Sequence, residues 1–185
     1  MIEYIPKIKS KPKMVEVRSA WGGIPEILKD IINRFNIKMN VALEFGVERG
    51  YSTSALANYF KRVIGVDTFR YNISDLSQER PSEFYYVLKL LRTYPNIQLI
   101  ESLFEDFIQY DIYDNYDLIH IDIIHKYEPT FICGEWSMKH SGCVLFHDTI
   151  SCPEVMKAVQ DLSDLYKFEF YNYKKSNGLG ILIKK

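Results

Sequence analysis

Histidine and aspartate are concentrated in two short motifs in the second half of the chain. The first reads His120-x-Asp122-x-x-His125 and the second reads His147-Asp148. An imidazole has a reference pKa near ~6.5, which suits a side chain that accepts a proton at neutral pH. His125 follows the end of a predicted strand and is the best candidate for a general base. His120 lies inside that strand and is expected to be a core histidine.

The aspartates of these motifs could also hold a divalent cation. Asp122 and Asp148 supply the oxygen ligands that Mg²⁺ prefers, and His147 or Thr149 would complete the set. An imidazole nitrogen would shift the preference toward Zn, Fe, Ni or a similar metal. The predicted metal ligands are Asp122, Asp148 and His147, and the choice between Mg²⁺ and another divalent cation stays open.

A stretch with two glycines in the first half of the chain has the layout of a ligand-binding turn. An apolar run ends at Glu44, and Gly46 and Gly50 precede a helix-like segment that begins with Ser52. The spacing is Gly-x-x-x-Gly rather than the Gly-x-Gly-x-x-Gly of dinucleotide sites, and no Gly-Lys-Ser/Thr follows. The interval from Gly46 to Asp67 matches the ~20 residues that separate a glycine turn from a ribose-binding acid in dinucleotide folds.

Nearly every predicted strand ends in an acid, which indicates the charge of the ligand. The ends read Glu44-Phe45-Gly46, Asp67-Thr68, Glu101-Ser102, Asp122 and His147-Asp148. A phosphate ligand would need Lys, Arg or a loop of backbone N–H groups instead. S-adenosylmethionine is cationic and carries no phosphate, so it fits better. Gly46 and Gly50 would let the backbone approach its methionine part. Glu44 would support the ammonium directly or through water, and Asp67 would accept both ribose hydroxyls.

The elements that must position these residues alternate along the chain. Hydrophobic periodicity and turn signals predict six helices and seven strands. The helices are expected at 25–36, 52–60, 83–93, 104–110, 128–139 and 153–165. The strands are expected at 41–45, 63–66, 97–100, 117–121, 143–146, 168–173 and 179–183. This alternation predicts an α/β fold with a Rossmann-like, doubly wound, mostly parallel seven-stranded sheet. Asn177-Gly178 predicts a C-terminal antiparallel hairpin.

Length and charge limit the number of domains and the kinds of partner. A chain of 185 residues suits one domain, with 1–40 as an N-terminal tail and helix and 41–185 as the cofactor-binding core. The lysine-containing segment 1–20 is expected to be a loosely held, solvated tail. A net charge of -1 gives no electrostatic reason to expect nucleic acid or an anionic membrane as a partner.

Apolar and cysteine content point to a cytoplasmic protein. The sequence has no run of the ~18 apolar residues that a transmembrane helix needs. Its three cysteines lack metal-type spacing and are expected to be reduced thiols. Aromatic residues make up 15% of the chain, which is high, and suit a core or a homodimer interface.

Four segments resemble motifs of class I S-adenosylmethionine-dependent methyltransferases. Residues 44–50 resemble the first motif of that superfamily and 65–68, which end in Asp67 and Thr68, resemble the second. Residues 121–128 and 142–149 resemble segments of the subset that includes macrocin O-methyltransferase and cephalosporin hydroxylase-like proteins. Ile123-Ile124 stands where Gly-Asp is frequent, and His147-Asp148-Thr149 stands where Asp-Asp or Asp-Asn is frequent.

The resemblance implies a methyltransferase-like domain that methylates the oxygen of a small molecule such as a sugar, a phenol or a natural product. It implies S-adenosylmethionine bound near Glu44, Gly46, Gly50, Ser52, Asp67, Thr68, Ser102 and Asp122. Ser102 belongs to the segment near the third of the seven predicted strands where an adenine contact is expected. It also implies a divalent cation at Asp122 and Asp148, with His125 taking the proton of the acceptor.

Other interpretations of the same residues stay open. The domain could bind S-adenosylmethionine without transferring a methyl group, since one acid is absent at Ile124. It could also catalyse a different reaction, because a fold does not decide the chemistry. A nucleotide-dependent oxidoreductase is disfavoured by the glycine spacing. The segment 69–82 is a candidate lid or substrate wall.

Overall fold

The computed structural model describes residues 1–70, 82–110 and 115–185, so most of the segment expected to form a lid lies outside the described residues. Six helices are present in the described ranges. They are α1 (Pro25–Arg34), α2 (Tyr51–Ala57), α3 (Phe84–Leu90), α4 (Phe104–Tyr110), α5 (Tyr127–His140) and α6 (Pro153–Tyr166). Eight strands are present there: β1 (Ile2–Glu3), β2 (Val41–Phe45), β3 (Arg62–Asp67), β4 (Ile97–Glu101), β5 (Leu118–Ile121), β6 (Cys143–His147), β7 (Glu169–Tyr173) and β8 (Leu179–Ile183).

All eight strands form one sheet in the order β1-β7-β8-β6-β5-β2-β3-β4. The strands from β2 to β6 pair in parallel, whereas β8 runs antiparallel to both β6 and β7. The predicted α/β class, the mostly parallel sheet and the C-terminal hairpin are therefore confirmed. Seven strands lie where the sequence predicted them within a few residues, and β1 is an eighth that the sequence did not suggest.

The chain reverses its direction of travel across the sheet between β2 and β5. From β2 it proceeds through β3 to β4, and it then returns to place β5 and β6 on the other side of β2. Ligands of open α/β sheets bind outside the carboxyl ends of the strands at such a reversal. A ligand site is therefore expected at the residues that follow β2 and β5.

The N-terminal segment packs against the domain, so the expectation of a solvated tail is wrong. Ile2 and Glu3 pair with β7, and Tyr4 and Trp21 are buried. The Tyr4 hydroxyl donates to Asp30 of α1 at 2.5 Å. The exposed lysine side chains gave no sign of this docking, because the contacts are made by Tyr4, by Trp21 and by backbone N–H groups such as those of Lys7 and Lys13.

Apolar side chains cover both faces of the sheet. One face carries α1 and α2 with a core that includes Ile27, Ile31, Leu56 and Trp21. The opposite face carries α4, α5 and α6. Among the described helices, none combines the length and apolar character that crossing a bilayer requires.

Candidate functional site

A cavity of about 570 Å³ opens at the carboxyl ends of the strands on either side of the reversal. Nine of the predicted site residues line it: Gly46, Ser52, Asp67, Thr68, Ser102, Asp122, His125, His147 and Asp148. Its described lining contains five carboxylates, from Glu48, Asp67, Glu105, Asp122 and Asp148, and neither Lys nor Arg. The cavity therefore has the acidic character that the strand ends predicted.

Gly46 joins the end of β2 to the end of β5 by close backbone contact. Its φ of 87° lies in the left-handed region, and a Cβ there would lie 1.8 Å from the carbonyl oxygen of Asp122. The Gly46 N–H donates to the carbonyl of Val66 at 2.9 Å. Only glycine fits this position, because any side chain would push the two strand ends apart.

Gly50, which the sequence placed beside the ligand, lies at the start of α2. Its φ of 80° starts α2, and a Cβ would lie 2.6 Å from a methyl group of Leu91. Gly50 is absent from the described cavity lining, where Gly46, Val47 and Ser52 are present. Its contact is with the packing beneath α2 rather than with the cavity.

Asp67 holds the glycine-containing turn as well as lining the cavity. Its Oδ2 accepts the backbone N–H groups of Val47 and Glu48, both at 2.8 Å, and its Oδ1 accepts that of Phe69 at 2.7 Å. Each carboxylate oxygen can accept about two hydrogen bonds, so Oδ1 keeps capacity for a ligand hydroxyl. Thr68 and Ser102 lie beside it in the lining, and the Ser102 N–H donates to the Asp67 carbonyl at 2.9 Å.

Glu44 is placed differently from the sequence prediction. Its side chain is fully buried, and its carboxylate accepts the hydroxyl of Thr53 and lies 2.9 Å from Nδ1 of His120. It is absent from the described lining of the cavity. Direct support of a ligand ammonium by Glu44 is therefore not what the structure shows, because both of its oxygens already face partners inside the core. His120 is also fully buried, which confirms it as a core histidine.

Asp122, His125, His147 and Asp148 form one contiguous group, here called the edge cluster. Nε2 of His125 lies 2.9 Å from Oδ2 of Asp148 and 3.3 Å from Oδ1 of Asp122. Nδ1 of His147 lies 3.1 Å from Oδ2 of Asp122 and 3.2 Å from Oδ2 of Asp148. The two sequence motifs meet because β5 and β6 are adjacent and parallel, so their carboxyl ends share an edge.

The exposure of the edge cluster falls from His125 to His147. The side chain of His125 is 44% exposed and that of Asp122 is 28% exposed, whereas Asp148 and His147 are 8% and 2% exposed. Asp148 adopts a φ of 61°, which turns the chain after β6, and its Oδ1 accepts the Ser151 hydroxyl at 2.6 Å. His125 therefore faces the solvent side of the cavity, and His147 forms its floor.

Mutual contact shifts the pKa values of the edge cluster in the directions expected for ion pairs. Hydrogen bonds from His125 to Asp122 and Asp148 raise the pKa of the His125 imidazole to about 10. For His147, burial opposes the charge, but contact with the same two carboxylates outweighs it and raises the pKa to about 9.

The two carboxylates shift the other way. Burial alone would raise their pKa values, but the two imidazoles outweigh it. They lower the pKa of Asp122 to about 2 and hold that of Asp148 below its usual range.

Several lining residues had no signal in the sequence. Ser19 and Ala20 reach the cavity from the N-terminal segment, and their position depends on contacts with distant parts of the chain.

Glu48 belongs to the glycine-containing turn that the sequence singled out. Burial and the nearby Asp122 carboxylate raise the pKa of Glu48, so its charge is sensitive to what the cavity holds. Leu103 and Ile124 add exposed apolar surface at the rim.

Comparison with solved structures shows the same fold in methyltransferases. A putative caffeoyl-CoA O-methyltransferase from Staphylococcus aureus superposes with a TM-score of 0.68 at 17% identity, over 93% of this chain and 86% of that one. The O-methyltransferase NovP gives a TM-score of 0.68 at 17% identity, over 88% and 78%. The SAH-bound methyltransferase PaMTH1 of Podospora anserina gives 0.63 at 13%, over 86% and 79%.

The sequence itself identifies the family. A search of curated proteins found no match. Residues 43–149, from β2 to the turn after β6, match the family described as a methyltransferase domain. That region is more than half of the chain and contains the glycine-containing turn, Asp67 and the whole edge cluster. The protein therefore belongs to the methyltransferase domain family.

Proposed function

We infer that the protein transfers a methyl group from S-adenosylmethionine to an oxygen of a small molecule. The observation that carries this proposal is the acid-lined cavity at the reversal of the sheet, in a chain of the methyltransferase domain family. A sulfonium and an ammonium are favoured beside carboxylates, whereas a phosphate would be repelled by them. The solved relative from Podospora anserina carries SAH, the product that such a transfer leaves.

The proposed donor site extends from the glycine-containing turn to β4. Gly46 lets the backbone approach the amino-acid part of the donor, with Ser52 beside it, and Asp67 accepts a ribose hydroxyl through Oδ1. Ser102 and the apolar Leu103 and Phe104 would flank the adenine. In this proposal Glu44 acts through Thr53 and His120, whose positions it fixes, and touches no ligand.

The edge cluster is proposed as the acceptor site. Asp122 and His125 line the cavity, so an acceptor hydroxyl can approach His125 from the exposed side. His125 can accept that proton only when the negative charge of Asp122 and Asp148 is offset, because their contacts hold its proton at neutral pH. Positioning then contributes much of the rate, since the displacement needs donor and acceptor held in line.

The donor atoms of the cluster fit a divalent cation, as the sequence suggested. Asp122, His147 and Asp148 each offer one ligand atom, and these atoms lie within 4.8 Å of one another. A cation bound there would polarise an acceptor oxygen and make it more acidic. Asp122 and Asp148 would also keep their orientation toward His125, so the proposed base would lie beside the ligands of the cation.

Titration calorimetry with S-adenosylmethionine, SAH and NAD tests the donor assignment. We expect heat with the first two and none with NAD. Asp67→Ala should weaken binding of SAH by at least about tenfold, since hydrogen bonds to a charged group contribute about 1.5–3 kcal/mol each. Absence of heat with both sulfur compounds would contradict the proposal.

Asp117→Ala is a matched control for Asp67→Ala. Oδ2 of Asp117 also accepts two backbone N–H groups, those of Asn40 and Val41, at 2.6 and 2.9 Å. Asp117 directly precedes β5, so it lies at the amino ends of the strands, whereas the cavity lies at their carboxyl ends. Asp117→Ala should lower stability by a similar amount and leave SAH affinity unchanged, which separates ligand contact from loop support.

A donor-binding domain without methyl transfer is the second candidate. The raised pKa of His125 favours it, because a protonated imidazole accepts no proton. Ile124 fits it as well, since an exposed apolar side chain stands where the family's motif often has an acid. Turnover of a panel of catechols, sugars and flavonoids with and without divalent cations distinguishes the two candidates. SAH binding without turnover under all conditions would support the second.

A further inference from the structure

The edge cluster contains a buried ring nitrogen that faces two carboxylates. Nε2 of His147 donates to the carbonyl of Ser176 at 3.2 Å, so Nδ1 is the ring nitrogen that is left for a second partner. Nδ1 lies 3.1 and 3.2 Å from oxygens of Asp122 and Asp148. Among the described residues it has no aligned hydrogen-bond partner. Two carboxylate oxygens beside Nδ1 require positive charge between them, which either a proton or a bound metal ion can supply.

The surroundings of His147 hold it in this orientation. Ser176, whose carbonyl receives the Nε2 proton, lies in the hairpin between β7 and β8 and donates its hydroxyl to the carbonyl of Gly22. Ser151 in turn holds Asp148 by the 2.6 Å hydrogen bond to Oδ1. Metal-ligating histidines typically donate their second nitrogen to a backbone carbonyl, and ligating carboxylates are themselves hydrogen-bonded. The position has both features.

We propose that this position binds a first-row transition ion in preference to Mg²⁺. The ligands are Nδ1 of His147 and one oxygen each from Asp122 and Asp148. Mg²⁺ takes oxygen ligands in a near-ideal octahedron, whereas imidazole nitrogen suits ions such as Fe²⁺, Ni²⁺ and Zn²⁺, and affinity for a given site rises from Mn²⁺ through Fe²⁺ and Co²⁺ to Ni²⁺. This inference rests on the proposed function only in assigning the ion to the acceptor side of the cavity.

A neighbouring set of ligands is the rival position. His125, Asp148 and Cys152 also bring one donor atom each within 4.8 Å of one another, and the thiol is a softer donor. The side chain of His125 is 44% exposed, whereas Nδ1 of His147 is buried and lacks an aligned partner among the described residues. The geometry therefore favours the His147 position, and only the rival would place sulfur on the ion.

Metal binding by the full chain tests this inference without any turnover. Protein treated with a chelator is dialysed against Mn²⁺, Co²⁺ or Zn²⁺ in the presence of a large excess of Mg²⁺, and bound metal is measured by elemental analysis. We expect about one transition ion per chain with Mg²⁺ unable to displace it. His147→Asn should weaken Mn²⁺ binding by at least about 100-fold, since even outer partners of metal ligands contribute about 10–100-fold.

Two controls make the result specific. His140→Asn removes an imidazole whose Nδ1 lies 2.7 Å from the carbonyl of Trp136, outside the edge cluster, and should leave Mn²⁺ affinity unchanged. Asp122→Asn should weaken Mn²⁺ binding as His147→Asn does. It provides a second variant at a less buried position, in case His147→Asn fails to fold as judged by circular dichroism.

Three outcomes would overturn the inference. The first is displacement of Mn²⁺ by the excess Mg²⁺, and the second is parental affinity in a folded His147→Asn. The third is a sulfur-to-cobalt charge-transfer absorption that Cys152→Ser abolishes, which would place the ion at the rival position. Failure of the proposed function would be seen in a separate experiment, in which calorimetric titration of chelator-treated protein with SAH gives no heat.

Discussion

Two acid–histidine groups lie on the same sheet and have opposite surroundings. Glu44 and His120 sit side by side on β2 and β5 with both side chains fully buried, and Thr53 completes the contact. In the edge cluster, Asp122 and His125 border the cavity with side chains 28% and 44% exposed. The same residue types therefore support the core in one place and line the cavity in the other, and the difference is that only the edge cluster borders the cavity.

The largest effect should come from breaking the buried pair. Glu44→Ala removes the acceptor of both Thr53 and His120, which leaves two polar groups without partners inside the core. We expect the free energy of unfolding, measured with urea, to fall by about 3–5 kcal/mol. SAH affinity of the folded protein should stay unchanged.

Glu44→Gln is the control for that loss. It keeps the size of the side chain and one acceptor oxygen, so the free energy of unfolding should fall less than in Glu44→Ala. If Glu44→Ala instead kept its stability and lost SAH binding, Glu44 would contact the ligand as the sequence had suggested, and the contrast between the two groups would disappear.

The stability of the chelator-treated protein should depend on pH through the edge cluster. The folded-state pKa of His147 is raised from 6.5 to about 9, so its contribution is fully present below about pH 6.5 and is lost as the pH rises toward 9. The pKa of Asp122 is lowered to about 2, so its contribution is lost as the pH falls from 3.8 toward 2. Stability should therefore be greatest between about pH 4 and 6.5.

Urea unfolding across this range measures the effect. The slope of unfolding free energy above pH 6.5 can reach at most about 1.4 kcal/mol per pH unit for each proton released. His147→Asn should reduce that slope, because the titrating ring is gone. An unchanged slope in the variant would mean that another group causes the alkaline loss.

His125→Ala should separate the chemistry from binding. A general base contributes at least about 10²-fold to the rate, so turnover with a methylated acceptor should fall by that factor. SAH affinity should remain, because the proposed donor residues lie on the turn after β2 and at the ends of β3 and β4. Equal turnover in parent and variant, with His140→Ala as the matched histidine control, would remove His125 from the proposed mechanism.

The positions of the edge cluster could be predicted from the sequence, whereas the role of Glu44 could not. Parallel neighbouring strands bring their carboxyl ends together, so His125 and His147-Asp148 had to meet once β5 and β6 were recognised. Glu44 also lies near a strand end, but its side chain points to the face where α2 packs and contacts Thr53 of that helix. Periodicity along one strand does not tell which face another part of the chain will cover.

The contribution of the N-terminal segment to the cavity could not be predicted from the sequence for a related reason. Ser19 and Ala20 reach the lining because Trp21 packs edge-to-face on His120 at 4.8 Å and lies 6.4 Å from His147. These contacts join residues that are 99 and 126 positions apart, and short-range patterns carry no information on them. The lysines of the segment suggested solvent, while its isolated aromatic residues determine where it docks.

Ser151→Ala should give the smallest effect and test how tightly the edge cluster is organised. The Ser151 hydroxyl donates to Oδ1 of Asp148, the oxygen that faces away from His125 and His147. Its removal should weaken Mn²⁺ binding by about tenfold, as expected for a residue that orients a metal ligand. Because Ser151 is exposed, the free energy of unfolding should change little, in contrast to Glu44→Ala. A loss of stability as large as that of Glu44→Ala, with Mn²⁺ affinity unchanged, would mean that the Asp148 region supports the fold in the way that the buried pair does.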